Sequence, residues 1–307
     1  MSRLPLVPDS VSTPAVRGWA WASLVANTVI IVTGGLVRLT GSGLGCPTWP
    51  RCTDESFVPH RALGAHGVIE FGNRLLTYVL VAVALGTLVA VWRWSRTSTS
   101  LRWHAVALAL GIPLQGVVGG ITVLTDLNPW LVAVHLLLSM VLVALATWLV
   151  LRVHDALGAP AAPRLRALTL VVQGLVWVAV YLGTVVTGSG PHAGDADVPR
   201  NGLDPQTWSH VHAGAVYLLL AVTLVTWWVA RSGALRGPMT LVLVVELAQG
   251  AVGVVQYATG LPLPLVALHL VGAAVLVAAS TRVLLLARGV TLRPVAGHVR
   301  SAESVAG

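Results

Sequence analysis

The sequence predicts an all-α integral membrane protein with eight transmembrane helices, arranged as two pseudo-symmetric four-helix bundles. Hydrophobic residues make up 56% of the chain and charged residues only 10%, whereas soluble domains carry about 25% charged residues. The apolar residues fall into long runs, and the second half of the chain repeats features of the first. Together these observations exclude an ordinary soluble domain.

Each predicted span is an apolar run close to the roughly 20 residues that a membrane helix needs. Turn residues or arginines separate the runs. In chain order, the predicted spans cover residues 18–38, 63–91, 103–124, 130–151, 167–187, 208–230, 238–258 and 265–287.

The charges in the connecting segments predict the orientation in the membrane. The chain has no lysine, and its arginines cluster in alternate loops, namely Arg3, Arg17, Arg93, Arg96, Arg102, Arg152, Arg164, Arg166, Arg231, Arg236, Arg288, Arg293 and Arg300. The other loops hold mostly acids. Because cytoplasmic loops are enriched in arginine, we expect both termini in the cytoplasm and the loop containing Cys46 and Cys52 outside.

An internal repeat divides the chain. Gln115, Gly119 and His135 recur at a constant offset of 134 as Gln249, Gly253 and His269, and "TGSG" occurs at 40–43 and 187–190. We therefore predict an N-terminal half over 1–151, a cytoplasmic linker over 152–166 and a C-terminal half over 167–307.

The only two cysteines, Cys46 and Cys52, lie in one Gly- and Pro-rich loop. Outside a bacterial membrane such a pair can oxidise and remain oxidised. The pair is interpreted either as a structural disulfide or as a redox-active one, and the loop position favours the structural interpretation.

Each even-numbered predicted span carries a histidine near its outer end, and these are His66, His135, His212 and His269. Polar groups at membrane depth need a partner or a function. We place all four near the outer ends of their spans at similar depth, and opposed imidazoles across a four-helix bundle are suited to binding haem iron. By contrast, we expect His104, His154 and His298 to be hydrated residues at cytoplasmic ends or in the tail.

The second span also carries Glu70, Asn73 and Arg74. The spacing of His66, Glu70 and Asn73 puts them on one helix face. Glu70 and Arg74, at i and i+4, are interpreted either as an intramembrane ion pair or as an acid beside a reactive cofactor.

Four features carry a family resemblance, namely the eight spans, the stretch "GGLVRLTGSGLGCPTWPRC", the glutamate on the second span and a histidine on every even-numbered span. On these features the chain resembles the haem A synthases of bacteria, of the actinobacterial type. This resemblance implies oxidation of a ring methyl of haem o to formyl, giving haem a for cytochrome oxidase, with water as the oxygen source. It further implies a resident haem b, a place in the bacterial cell membrane, and a supporting cysteine pair.

Carried over to these positions, the resemblance implies that His212 and His269 are the axial ligands of haem b. His135 would face the substrate haem, Glu70 would be the catalytic acid, and Cys46 and Cys52 would be the loop pair.

The chain departs from the family where Glu-x-x-His-Arg is usual, because Asn73 stands in place of the histidine. A carboxamide is not an ordinary haem ligand, so we expect His66 to bind the substrate iron together with His135. The alternative is a deeper site at Asn73, in the position that is usual in the family. Arg38, Arg74 and Arg200 are candidates for contacts to the propionates.

Two other functions are compatible with parts of the pattern. A di-haem b cytochrome that carries electrons to or from quinone would use the four histidines but not Glu70 or the cysteines. A transporter would need interrupted spans, which the sequence lacks. As partners of an enzyme of this kind we expect haem o and haem a, the lipid bilayer, haem O synthase, and an electron acceptor or thiol-redox protein, but no nucleic acid.

Overall fold

A computed structural model describes residues 10–289 and confirms eight helices of membrane-spanning length. Residues 1–9 and 290–307 lie outside the described residues, and they include Arg3, Arg293, His298 and Arg300. The helices are α1 (Thr13–Leu39), α2 (Gly64–Trp92), α3 (Thr99–Leu124), α4 (Pro129–Val153), α5 (Pro163–Ser189), α6 (Pro205–Val229), α7 (Arg236–Ala258) and α8 (Leu263–Arg288).

Most helices extend a few residues beyond the predicted apolar runs, and in three of them a polar cap starts the helix outside the apolar segment. The side chains of Ser98, Asn128 and Asp204 accept backbone hydrogen bonds at the starts of α3, α4 and α6. The hydroxyl and backbone N–H of Thr207 donate to Asp204 and lower the pKa of that exposed carboxyl.

The connection between the two halves is shorter than predicted. It covers residues 154–162 rather than 152–166, because α4 continues to Val153 and α5 begins at Pro163. Proline is well suited to the first helical position, where its missing N–H costs no hydrogen bond. The cytoplasmic location of this segment and the assignment of the two halves as domains remain predictions.

Each group of four helices packs in a ring in which every helix contacts the next and the fourth contacts the first. Among the described residues, the diagonal pairs α2 with α4 and α6 with α8 do not pack directly. The two rings meet where α4 and α1 contact α8 and α4 contacts α5, and buried Met140, Val176 and Val277 belong to one apolar cluster there. The even-numbered helices of each ring therefore face each other across its interior.

His104 is not hydrated as expected. Its side chain is buried, its ring lies 4.6 Å from that of Trp148, and its Nε2 is 2.9 Å from the carbonyl oxygen of Leu145. Because α3 begins at Thr99, His104 lies more than one turn inside the helix, on the side that packs against α4.

Candidate functional site

His212 and His269 face each other across the C-terminal ring. Their ring centroids are 6.4 Å apart and their planes are inclined by 77°. A metal–imidazole bond of about 2 Å on each side would put two opposed rings roughly 6 Å apart. The separation therefore suits one metal held between the two side chains.

The same nitrogen, Nδ1, is buried in both rings. Neither Nδ1 atom has a hydrogen-bond partner among the described residues. A Cβ atom on Gly183 would be 3.9 Å from Nδ1 of His212, and one on Gly253 would be 3.9 Å from Nδ1 of His269. Because Nδ1 of each ring lies against the preceding helix, Nε2 is the atom left to bind a metal.

A glycine on the preceding helix lies against each of three histidines. A Cβ atom on Gly183 would be 3.5 Å from the ring of His212, and one on Gly253 would be 3.5 Å from that of His269. In the N-terminal ring, a Cβ atom on Gly119 would be 3.2 Å from His135. These glycines allow the rings to lie flat against the neighbouring backbone.

A fourth glycine occupies the corresponding place on α1, but the residue opposite it is not a histidine. A Cβ atom on Gly34 would be 3.9 Å from Nδ2 of Asn73. The carboxamide oxygen of Asn73 is buried and has no hydrogen-bond partner. The glycine pattern thus groups Asn73 with the three histidines.

Glutamine side chains fix the backbone of two of the histidines. Nε2 of Gln249 donates to the carbonyl of His269 at 2.8 Å, and Nε2 of Gln115 donates to that of His135 at 3.1 Å. The two glutamines are equivalent in the repeat, so the same positioning contact occurs in both rings.

His66 lies nearer the N-terminal end of its helix than the other three histidines. Depth can be measured along each helix axis from its C-terminal end, at about 1.5 Å per residue. On this scale His212 lies roughly 26 Å from the end of α6, His135 roughly 27 Å from the end of α4 and His269 roughly 29 Å from the end of α8.

On α2, Asn73 lies roughly 29 Å from the C-terminal end on the same scale, whereas His66 lies roughly 39 Å from it. His66 is in the first turn of α2, with an exposed ring, and its Nδ1 is 2.9 Å from the hydroxyl of Ser42. It therefore lies about 10 Å closer to the N-terminal end of α2 than Asn73.

Glu70 and Arg74 form the ion pair considered above, at 2.5 Å, and both also hold the cysteine loop. Oε2 of Glu70 accepts a hydrogen bond from the backbone N–H of Cys46 at 2.6 Å. The Arg74 guanidinium donates to Glu70 and to the carbonyls of Cys46, Thr48 and Arg51. These contacts use all five of its N–H donors, which leaves none for a propionate.

The two cysteines form a disulfide, with Cα atoms 4.4 Å apart, and both are almost fully buried. The loop lies over the N-terminal end of α2 and the C-terminal end of α3. A Cβ atom on Gly45 would collide with the backbone of His66, and one on Gly120 would collide with the ring of Trp49. The disulfide, Glu70 and Arg74 therefore form one assembly that covers the end of the N-terminal ring where α2 begins and α3 ends.

We expect Cys46 and Cys52 to resist thiol-specific labelling in unfolded protein prepared from aerated cells, because both are oxidised. Labelling of both should appear only after reduction. The measurement is mass spectrometry of the alkylated peptides, and it needs a denaturant because the sulfurs are buried. Stoichiometric labelling without reduction would contradict the disulfide.

Arg38 and Arg200 mainly hold the corresponding loop of the C-terminal half. Nε of Arg38 donates to the carbonyl of His192 at 2.6 Å and one Nη donates to that of Thr187 at 3.0 Å. Arg200 donates to the carbonyls of Val198 and Pro191. The two outer loops also meet directly, because the N–H of Gly43 donates to the carbonyl of Gly194 at 2.8 Å.

Glu246 is a second buried acid within the spans. Thr223 donates to its Oε1 at 2.8 Å, whereas its Oε2 is buried without a partner. Among the residues that the structure describes, no three His, Cys, Asp or Glu side chains cluster as ligands of a metal ion. The facing pair therefore suits a metal that brings its remaining ligands with it, as the iron of a porphyrin does.

Comparison with known proteins identifies relatives over most of the chain. The family model of the cytochrome oxidase assembly proteins, COX15-CtaA, matches residues 17–281. A protein of Methylobacterium radiotolerans named "Heme A synthase" is 31% identical over 213 residues, which are 59% of this chain and 58% of that protein's length.

Two further relatives carry the same name and align over more of their length. The protein of Listeria monocytogenes is 25% identical over 83% of this chain and 89% of its own. The protein of Sphingopyxis alaskensis is 27% identical over 88% and 91%, respectively.

Proposed function

The chain belongs to the family of cytochrome oxidase assembly proteins, and on this premise we propose that it is a haem A synthase. The reaction would be oxidation of a ring methyl of haem o to formyl, with water as the oxygen source. The observation that carries the proposal is the facing pair His212 and His269, repeated incompletely in a second ring that is capped by a disulfide loop.

The C-terminal ring fits a resident haem b. The separation of its two imidazoles would accommodate one iron atom bound to both. Both Nδ1 atoms are buried in the protein, and Gly183 and Gly253 leave space for the two rings beside the neighbouring helices. His212 and His269 would be the axial ligands. Haem b, when bound, supplies a one-electron carrier.

The N-terminal ring fits the substrate haem. His135 repeats the environment of His269, with a glycine behind the ring and a glutamine on its carbonyl, and we assign it as a ligand of the substrate iron. The farnesyl tail of haem o is apolar, so the substrate would enter from the lipid. Exposed apolar side chains on α2 and α3, including Val68, Leu75 and Val117, suit that route.

Glu70 is the proposed catalytic carboxylate. It is the one acid within the four N-terminal spans as the structure describes them, and it lies one turn from Asn73 on the same face. Oxidation of a methyl to a formyl group by water releases protons and electrons in equal number. Glu70 is placed to accept such a proton, and Arg74 would hold its carboxylate in position.

The outer loops would seal the site and bind its polar edge. Arg74 and Glu70 anchor the disulfide loop, which excludes water from the outer end of the ring. Arg38 and Arg200 each keep N–H donors that make no hydrogen bond to the described residues, so both are better candidates for a propionate contact than Arg74.

The proposed setting is the bacterial cell membrane, with both termini cytoplasmic and the cysteine loop outside. The described arginines at the ends of α2, α4 and α8, and at the starts of α3 and α5, support this orientation. Haem O synthase would deliver the substrate, and an electron acceptor or a thiol-redox protein would remove the electrons.

The proposal is tested in a host that makes haem o but no haem a. We expect expression of this chain to yield extractable haem a in the membranes, identified by chromatography and mass. Accumulation of haem o alone, with a normal haem b spectrum of the purified protein, would instead indicate a plain di-haem cytochrome. Protein without any haem would exclude both functions.

A further inference from the structure

We propose that Asn73 occupies the position equivalent to that of the histidine ligands His135, His212 and His269. The substrate iron would then have one protein ligand, His135. The other face of that haem would be open and lined by the carboxamide of Asn73. The inference rests on the proposed function, because it needs the substrate haem in the N-terminal ring. It concerns how that haem is held and which small ligand reaches it.

The glycine contacts give the first reason. Each odd-numbered helix places one glycine against a polar side chain of the next even-numbered helix: Gly34 against Asn73, Gly119 against His135, Gly183 against His212 and Gly253 against His269. Three of these four partners are histidines. Asn73 is the member of the set that cannot act as an ordinary haem ligand.

Helix register gives the second reason. The three histidines lie roughly 26 to 29 Å along the axis from the C-terminal ends of α6, α4 and α8, and Asn73 lies roughly 29 Å from the end of α2. A haem bound to His135 therefore has Asn73 at the level of its opposite face.

His66 does not meet the same requirement. It lies about 10 Å farther along the helix axis than Asn73, its ring is exposed, and its Nδ1 contacts the hydroxyl of Ser42 in the outer loop. A porphyrin whose iron is bound by His135 would therefore lie about two helical turns from the level of His66.

The unpaired carboxamide indicates what the open face accepts. Oδ1 of Asn73 is buried without a partner, and a buried amide oxygen in an apolar setting needs a donor. A ligand of water size that donates a hydrogen bond would satisfy Oδ1 while lying beside the iron. The inferred ligand is therefore water, in the place where the C-terminal ring has a second imidazole.

The test uses full-length protein purified with haem b and haem o, examined by optical and electron paramagnetic resonance spectroscopy. We expect one low-spin haem and one high-spin haem, of which only the second binds carbon monoxide after reduction. Asn73→His should supply the missing imidazole, convert the second haem to low spin and lower carbon monoxide binding at least about tenfold. The low-spin haem b serves as an internal reporter of folding.

Two further variants keep the inference falsifiable. His66→Ala should retain the high-spin haem and its carbon monoxide binding, whereas His135→Ala should lose the haem of the N-terminal ring. The inference is overturned if the wild type has two low-spin haems and His66→Ala makes one of them high-spin. Purified protein that holds haem b but neither haem o nor haem a would overturn the proposed function and the inference with it.

Discussion

Replacement of His212 or His269 by alanine is expected to abolish the low-spin spectrum of haem b. The two rings are placed to share one iron, with centroids 6.4 Å apart, and loss of either leaves an axial position without a protein ligand. We expect haem b content to fall to a small fraction of the wild-type value. Haem content per purified chain, measured as the pyridine adduct, gives the result.

The matched control is His210→Ala. His210 precedes His212 by two positions on α6, is exposed, and has its ring 6.3 Å from that of Tyr257. This variant should keep the full spectrum. Unchanged spectra in both His212→Ala and His269→Ala would remove the assignment of haem b to the C-terminal ring.

The second large effect is expected at Glu70. Glu70→Ala removes the acceptor of Cys46 and the charge partner of Arg74. Breaking a buried ion pair costs at most about 3–5 kcal/mol, and three carbonyls still accept hydrogen bonds from Arg74. If Glu70 also handles a proton, haem a formation should fall at least about 100-fold.

Glu70→Gln separates the two roles of this side chain. The glutamine oxygen can still accept from Arg74, so we expect the disulfide and haem b to persist while haem a formation is lost. Near wild-type haem a production in Glu70→Gln would mean that Glu70 only anchors the loop. Glu55→Ala, at an acid of the same loop, should leave both haem a and the disulfide unaffected.

The membrane helices could be predicted because their signal is local. Long apolar runs bounded by arginines, prolines and capping residues define each span, and the structure changes the bounds by a few residues. The predicted linker is too long because Pro163 starts α5 within a segment that looks like a loop. The expectation for His104 is wrong because its partner, the carbonyl of Leu145, is a backbone group on another helix.

The site was only partly predictable for the same reason. His135, His212 and His269 could be selected by their repeat, but the preference for His66 over Asn73 depended on where α2 begins. The outer loop runs to residue 60 and a short turn, Arg61–Leu63, precedes the helix. His66 is therefore in the first turn, where the residue pattern alone suggested a deeper position.

The roles of the glycines and of Arg74 could not be predicted from the sequence. Gly34, Gly119, Gly183 and Gly253 gain meaning only when the side chain opposite each is known. Arg74 was a reasonable propionate candidate from its charge, yet its donors go to loop carbonyls that are 23 to 28 positions away along the chain. Such tertiary contacts have no local pattern.

The most direct test of the account is the haem composition of the purified wild-type protein from cells that also contain haem O synthase. The account predicts one haem b per chain together with haem o or haem a, separated and identified after acid extraction. Two haem b per chain without haem o or haem a, or no haem of any type, would contradict the division into a resident cofactor ring and a substrate ring.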